Sequence, residues 1–253
     1  MSLSVCIITL NEEENLPRCL DSVADLADQV VVVDSLSTDG TRALAAARGA
    51  EVVERAFTGH VDQKQFALER ATGDWVLCLD ADEWLDDALR AAVRRAVATA
   101  PGAGSGPVGY ELDRRVHYLG RVIAHGGWSP QWRLRLVARG RARWTGVDPH
   151  DRLEADGPVA RLDGHLDHVP YRSLSEHMTK LDRYTDIMVA RRREAGEGAS
   201  LAKLLLRPPA RFVRMYLLRA GFRDGWRGLV LAGFAAFYVF LKYAKLLAAE
   251  RAD

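Results

Sequence analysis

The chain has 253 residues, of which 48% are hydrophobic and 27% are charged, with a formal net charge of +1 at pH 7. This length can bury a hydrophobic core, and the near-neutral charge gives no basic field for nucleic acid, so we expect no nucleic-acid partner. The three cysteines lack metal-ligand spacing, and the N-terminal residues lack the pattern of a signal peptide. We therefore expect a cytoplasmic protein.

The first hundred residues alternate between short β-branched runs and helical patterns. The predicted strands are 5–10, 29–34, 51–54 and 75–80, and the predicted helices are 12–24, 38–48, 60–71 and 86–98. This alternation predicts βαβ units around a parallel sheet. The runs are almost continuously hydrophobic, which is typical of strands covered on both faces.

The pattern changes after the Gly- and Pro-rich segment 101–107. Residues 108–120 and 131–146 alternate between apolar and polar residues, as antiparallel strands do, and residues 174–193 form a polar helical pattern. The sequence therefore predicts an α/β domain at residues 1–193, with halves at 1–100 and 108–193, followed by a helical tail at 200–253.

The tail carries ten basic and only three acidic residues from Ser200 onward, and aromatic residues are interleaved with them. Its longest uncharged stretch, 228–241, would measure about 21 Å as a helix, which is shorter than the hydrocarbon core of about 30 Å. The tail is therefore predicted to lie on an anionic membrane surface rather than to span it. The alternative is a helical pair that packs on the domain or forms a homodimer interface.

Three acidic residues, Asp80, Asp82 and Glu83, follow the fourth predicted strand. Ligands of parallel α/β sheets bind beyond the carboxyl ends of the strands, and side chains two residues apart on a strand share a face. Asp80 and Asp82 together could hold Mg²⁺ or Mn²⁺ with diphosphate oxygens as co-ligands. The alternative is that these carboxylates cap a helix that begins near Trp84.

Three motifs occur in order at the predicted strand ends: TLNE (9–12), VVVDSLSTDGT (31–41) and TGDWVLCLDADE (72–83). Together they resemble the family 2 glycosyltransferases over residues 3–90. Later segments, among them FTGHVDQKQFALERATGDW, QWRLRLVARGRARW and HVPYRSLSEHMTKLDRYT, are similar to the lipopolysaccharide inner-core β-1,4-glucosyltransferase subgroup.

The resemblance implies a GT-A fold, which is a Rossmann-like nucleotide-sugar domain with a mixed sheet, here with its nucleotide-binding half at 1–100 and its acceptor half at 108–193. It implies an inverting, metal-dependent hexosyltransferase that moves glucose from UDP-glucose onto a lipid-linked saccharide such as the lipopolysaccharide inner core. The enzyme would act at the cytoplasmic face of the inner membrane. Alternatives are a family 2 enzyme with a polyprenyl-linked, capsule or exopolysaccharide acceptor, and a nucleotidyltransferase-like enzyme. The acidic stretch TLNEEEN replaces the Gly-rich basic loop expected of the latter.

The resemblance also assigns residues to the donor site. Thr9, Asn11 and Glu12 would border the nucleoside, and Asp34 would accept a hydrogen bond from the uracil ring. Lys64 would contact the nucleotide, with a solvated helix face as the alternative.

The remaining assignments concern the diphosphate and the acceptor. Asp80 would contact the ribose or the metal, and Asp82 would be the direct metal ligand. An inverting transfer needs a general base, and the resemblance implies Asp151 for this role with His150 beside it. The alternative is a surface loop without chemistry.

Two further pairs have weaker patterns. Arg133 and Arg135 share a strand face and could neutralise phosphate charge, although arginine is also common on the polar face of a half-buried strand. His165 and His168 could supply a metal ligand or an acceptor contact, but a structural role is the more common one for such histidines.

Overall fold

The computed structural model describes residues 1–147 and 150–252. The chain forms two compact units: Met1–Arg114 with Gln131–His168, and Arg115–Pro130 with Val169–Asp253. The sequence places a domain boundary after residue 193, whereas the contacts group the preceding helix with the tail.

The first unit is built on four parallel strands: β1 Leu3–Thr9, β2 Gln29–Asp34, β3 Glu51–Glu54 and β4 Trp75–Asp80. β1 lies between β2 and β4, with Cys6 aligned to Val31 on one side and to Cys78 on the other. Thr9 and Asp34 end their strands side by side, and Asp80 ends the strand on the other side of β1. The predicted parallel sheet is confirmed.

Four helices accompany these strands: α1 Leu16–Asp21, α2 Thr41–Ala47, α3 His60–Glu69 and α4 Asp87–Val97. α1 is shorter than predicted because the N–H groups of Asn15 and Leu16 both donate to the carbonyl of Glu12, which closes a turn first. α4 begins after Asp86, whose side chain accepts from the N–H of Leu89 at 2.9 Å. Glu83 is therefore not a helix cap, and that alternative is wrong.

The second half of this unit adds antiparallel strands: β5 Glu83–Leu85, β6 Gly109–Tyr118, β8 Trp132–Ala138 and β11 Val159–His168. The strand order is β3-β2-β1-β4-β8-β6-β11-β5, so the sheet is mixed, as predicted. A separate hairpin consists of β9 Ala142–Val147 and β10 His150–Ala155. Asp148 and Pro149, between these two strands, lie outside the described residues.

Each face of the sheet has its own hydrophobic core because side chains alternate along a strand. Val5 and Ile7 of β1 pack with α1 and α4 residues, whereas Cys6 packs with α3 residues such as Ala67. Gly164 of β11 has φ +98°, and a Cβ there would lie 2.2 Å from the backbone N of Leu89. A larger residue would therefore separate β11 from the start of α4.

The second unit is mainly helical. It contains β7 Arg121–Val122, α5 Leu174–Glu194, α6 Leu201–Val213, a π-helical turn Arg214–Leu218, a 3₁₀ turn Gly221–Asp224 and α7 Gly225–Ala252. β7 pairs with the end of β6 at His117 and Tyr118. Met215, Leu231 and Ala232 are buried with Tyr118 in this unit's core. The predicted helix at 174–193 is confirmed.

The tail helix is longer than its uncharged stretch. Among the described residues, one segment, Gly221–Arg251, is long and apolar enough to cross a membrane by length and composition, with a mean hydropathy of 1.6. The helix continues through Lys245, which ion-pairs with Asp182 and Asp186 of α5 at 2.7 and 2.6 Å. The count of uncharged residues therefore underestimates the length of the helix, and length alone does not exclude a membrane span.

Candidate active site

A buried group of charges lies at the carboxyl end of β4, and Asp80 is at its centre. Oδ1 of Asp80 lies 2.8 Å from Nζ of Lys64 on α3, and Oδ2 accepts from Nη2 of Arg135 on β8 at 2.9 Å. Both cations are buried, and both lie over the ring of Trp144, at 4.8 and 5.7 Å from its centroid. The positive partners of Asp80 are thus two side chains of the protein itself.

Glu83 completes this group, although the sequence suggested no such role for it. Its side chain is fully buried; Oε1 accepts from Arg135 at 2.8 Å, and Oε2 accepts from the backbone N–H of Asp80 at 3.0 Å. Nη1 of Arg114 lies 3.6 Å from Oε1. Arg114 and Arg135 stand on neighbouring strands, so the pairing of β6 with β8 creates the pocket for this carboxylate. A buried acid next to alternating arginines was the available signal in the sequence.

The charges in this group fix the protonation of its members. Burial alone would raise the pKa of Asp80, but Lys64 and Arg135 outweigh burial and lower that pKa far below its usual range. Burial would likewise lower the pKa of Lys64, and the attraction of Asp80 overcomes it, so the pKa rises. The pKa of Arg135 is raised by Glu83 and Asp80 against the effect of burial. All three side chains are therefore charged at neutral pH.

Asp82 has different surroundings from Asp80. The chain turns after β4, so the two side chains are not parallel as the sequence predicted, and Oδ2 of Asp82 lies 3.4 Å from Nε2 of His168 at the end of β11. Among the residues that the structure describes, the buried Nδ1 of His168 finds no hydrogen-bond partner. The sequence gave His168 only a weak claim to a functional role.

These residues can be compared with the needs of Mg²⁺ or Mn²⁺. Both oxygens of Asp80 are taken by cations, whereas Asp82 and His168 present a carboxylate and an imidazole nitrogen to one another. No group of three or more metal-ligating side chains occurs among the described residues. Mg²⁺ commonly takes one or two carboxylates and completes its shell with substrate phosphates and water. Asp82 with His168 fits such a site, and Asp80 does not fit as a direct ligand.

Asp151 joins the same group from the hairpin. It lies on β10, is largely buried, and its Oδ2 lies 2.9 Å from Nζ of Lys64. Lys64 thus binds Asp80 and Asp151 together, and the alternative of a solvated helix face for Lys64 is wrong. His150 precedes Asp151 on the strand and is exposed. Arg133, also exposed, stands two residues before Arg135 on β8.

The residues assigned to the nucleoside lie where β1 and β2 end. The Asp34 carboxylate is fully buried and accepts from Oγ1 of Thr9 at 2.8 Å, from the N–H of Ser37 at 2.7 Å and from Oγ of Ser37 at 2.5 Å. Three of its acceptor positions are thus filled by the protein, and the residue is not exposed to solvent. A direct contact with uracil requires these groups to move.

Asn11 and Glu12 form the exposed rim of this strand end. Asn11 has φ 55°, and its Oδ1 accepts from the N–H of Thr38 at 2.8 Å. The backbone N–H of Glu12 donates to Oγ1 of Thr41 at 2.8 Å. These bonds connect the loop after β1 to the loop after β2, so the two loops form one structured edge.

The sequence profile described as Glycosyl transferase family 2 matches residues 4–148. The chain belongs to this family. The matched region contains the strand ends that carry Asp34, Asp80 and Asp82. The predicted resemblance is confirmed, and the nucleotidyltransferase alternative finds no support.

Individual relatives extend this finding. The lipopolysaccharide core biosynthesis glycosyltransferase LpsC of Rhizobium meliloti is 33% identical, over 97% of this chain and 92% of that protein. The fold is similar to that of S. aureus TarS 1–349, with a TM-score of 0.51, 13% identity, and coverage of 100% of this chain and 92% of that chain. The same protein in complex with UDP gives a TM-score of 0.50 at 15% identity, with the same coverage. The two TarS structures show a shared glycosyltransferase fold.

Proposed function

We propose that this family 2 glycosyltransferase moves a hexose, glucose from UDP-glucose, with inversion onto a lipid-linked saccharide such as the lipopolysaccharide core. The observation that carries the proposal is the arrangement at the carboxyl end of β4, where Asp82 and His168 stand beside the Lys64–Asp80–Arg135 group. The full-length similarity to a lipopolysaccharide core enzyme supports the acceptor class. A capsule, exopolysaccharide or polyprenyl-linked acceptor is the alternative.

The donor would lie along the strand ends. Asn11 and Glu12 form the rim next to the nucleoside, and Asp34 and Thr9 hold the loops that shape it. The diphosphate would lie near Lys64, whose ammonium group can exchange a carboxylate for a phosphate oxygen. Arg135 and Glu83 would keep Asp80 fixed during this exchange.

Inversion requires that the acceptor hydroxyl attack the anomeric carbon from the side opposite the departing UDP. We assign the proton of that hydroxyl to Asp151, the carboxylate next to Lys64, and a position near the acceptor to His150. Release of Asp151 by Lys64 as the diphosphate binds would free the carboxylate oxygen to accept the proton. Binding of the donor would thereby prepare the base.

Asp82 and His168 would hold Mn²⁺ or Mg²⁺, which when bound supplies positive charge to the leaving diphosphate. Asp82 and His168 keep this position next to the charged group and away from Asp34 at the nucleoside end.

The second unit would bring the enzyme to its acceptor at the cytoplasmic membrane face. Large apolar side chains of this unit are exposed, including Leu206 and Leu218 at 68% and 78%, and basic residues stand among them. Burial of such side chains in the headgroup region, with attraction to anionic lipids, favours surface binding. A homodimer through the same helices is the alternative.

The membrane proposal is tested by flotation of the full-length protein with vesicles that contain phosphatidylglycerol. Point variants are suited to this test, because removal of residues after Gly198 would leave Leu181 and Thr185 of α5 without the helices of their own unit. We expect Leu206→Ser/Leu218→Ser to float poorly and Val147→Ser/Val159→Ser, exposed positions of the first unit, to float like wild type. Wild-type protein that ignores the vesicles at low salt and dimerises would favour the interface.

The donor proposal is tested by a thermal-shift and hydrolysis screen of nucleotide sugars with and without Mn²⁺. UDP-glucose should give the largest shift and the fastest release of UDP. A larger response to a guanosine or thymidine diphosphate sugar would exclude the uridine donor. Transfer of labelled glucose to purified lipopolysaccharide core, compared with a polyprenyl-linked saccharide, identifies the acceptor.

A further inference from the structure

Basic side chains from three helices of the second unit converge around Tyr243. The guanidinium carbons of Arg192 on α5 and Arg207 on α6 lie 5.8 and 5.3 Å from the centroid of its ring, and Nζ of Lys242 lies 5.0 Å from it. Arg207 also donates to the Tyr243 hydroxyl. Arg211 lies one helical turn after Arg207 on α6 and contributes to the field at Lys242. These four cations form what we call the tail basic cluster.

The cluster has few acids to balance it. Glu197 ion-pairs with Arg192. Within the described part of the chain, no carboxylate lies within ion-pairing distance of Arg207, Arg211 or Lys242. Burial, and then the charges of Arg192 and Arg207, lower the pKa of Lys242. The fold thus holds like charges together at an electrostatic cost that the protein does not offset, and an anion would offset it.

The surroundings of the cluster are apolar. Leu205 and Leu206 directly precede Arg207 on α6 and are 66% and 68% exposed. Buried Tyr243 forms the floor, and its hydroxyl already points to Arg207. A site with several guanidinium and ammonium donors favours phosphoryl oxygens, because arginine binds phosphate with two parallel hydrogen bonds. Exposed leucines beside it favour a phosphate that carries acyl chains.

We propose that Arg192, Arg207, Arg211 and Lys242 form a binding site for the phosphate group of an anionic lipid headgroup. This site lies in the second unit and shares no residue with the active-site group around Asp80. It is more specific than general attraction of the tail to a charged surface, since it requires these four side chains. Its test is independent of the donor sugar and of the transfer reaction.

The test uses the full-length protein and follows its melting temperature with two probes. The probes are inorganic phosphate and dihexanoyl phosphatidic acid below its micelle concentration, each compared with sodium chloride at equal ionic strength. Arg211→Gln/Lys242→Gln removes two members that bond to no other described residue, so the fold keeps its contacts. The charge-matched control is Arg183→Gln/Arg251→Gln, which removes two exposed arginines of the same unit.

We expect dihexanoyl phosphatidic acid at ten times its Kd to raise the melting temperature of wild type and of the control by about 3–6 °C. In Arg211→Gln/Lys242→Gln, the Kd should weaken at least tenfold, while the shift produced by UDP stays as in wild type. Inorganic phosphate should bind at least tenfold more weakly than the lipid in wild type.

Two results would overturn the proposal. Equal lipid-induced shifts in wild type, control and Arg211→Gln/Lys242→Gln would mean that the anion acts without this site. Equal affinity for inorganic phosphate and for the lipid would overturn the lipid assignment and leave free phosphate as the ligand. Loss of the UDP shift in every protein would count against the proposed donor and would leave this comparison unaffected.

Discussion

Nζ of Lys64 lies 2.8 Å from Oδ1 of Asp80 and 2.9 Å from Oδ2 of Asp151, so one buried cation connects the end of β4 to the hairpin strand β10. Asp80 keeps Arg135 as a second partner, whereas Lys64 is the only cation within ion-pairing distance of Asp151 among the described residues. Movement of Lys64 towards a diphosphate would therefore affect Asp151 more than Asp80. The structure thus provides a physical connection between donor binding and the proposed base.

The role of Asp151 is tested by Asp151→Asn. If this carboxylate accepts the acceptor proton, kcat should fall by roughly 10²–10⁴-fold, the usual range for general-base catalysis, with little change in the Kd for UDP. Asp156→Asn, an exposed position just after the same hairpin, is the control and should retain wild-type kcat. A parallel loss of UDP affinity in Asp151→Asn would place Asp151 in the donor site instead.

The metal site is tested through Asp82 and His168. Mn²⁺ should strengthen UDP binding to wild type, a chelator should remove this effect, and Asp82→Ala should abolish it without unfolding the protein. His168→Ala should weaken the apparent Mn²⁺ affinity as well, since it removes the second proposed ligand. Titration of Mn²⁺ against UDP affinity by calorimetry measures both. Asp87→Ala, fully exposed on α4, is the control. Unchanged Mn²⁺ dependence in Asp82→Ala would contradict the assignment.

The buried charge group should contribute strongly to stability. Arg135→Met leaves the fully buried Glu83 without its closest cation, and loss of one partner of a buried pair typically costs about 3–5 kcal/mol of the free energy of unfolding. Arg133→Met, two residues earlier on β8 and exposed, should change it by about 0.5 kcal/mol or less. Urea unfolding of both variants gives the comparison. Similar losses in both would mean that Glu83 is satisfied without Arg135.

The second unit should be sensitive to acid through His177. This residue is stacked between Tyr171 and Phe234, at 3.9 and 4.0 Å between ring centroids, and its Nδ1 lies 3.0 Å from the hydroxyl of Tyr118. Burial, and then the charge of Lys180, lower the pKa of His177 to about 4. The unfolded chain, with a pKa near 6.5, therefore binds the proton first as the pH falls.

Stability from this histidine is present above about pH 6.5 and is lost progressively as the pH falls to about 4, by up to about 3 kcal/mol. His177→Phe keeps an aromatic ring in the stack and removes the titration. We expect the free energy of unfolding of this variant to fall less between pH 7 and pH 4.5 than that of wild type. Identical pH dependence in the two proteins would show that His177 is not the group responsible.

The sequence alone determined the parallel half of the sheet and the positions of Asp34, Asp80 and Asp82 at strand ends. It could do so because hydrophobic periodicity is local, and because parallel strands bring their carboxyl ends to the same edge of a sheet. Helix bounds were less accurate where a turn competes with the helix, as at Glu12 before α1. The family followed from the same motifs, since these occupy the strand ends in order.

Only the tertiary structure decided which groups neutralise these carboxylates. The partners of Asp80 come from α3 and β8, the neighbour of Asp82 comes from β11, and Glu83 is buried by antiparallel strands that follow much later in the chain. Such pairings depend on strand register and on the path of long connections, which hydrophobic periodicity does not encode. The sequence therefore placed a cation beside Asp80 and Asp82 as a metal ion, whereas the fold gives Asp80 the side chains of Lys64 and Arg135.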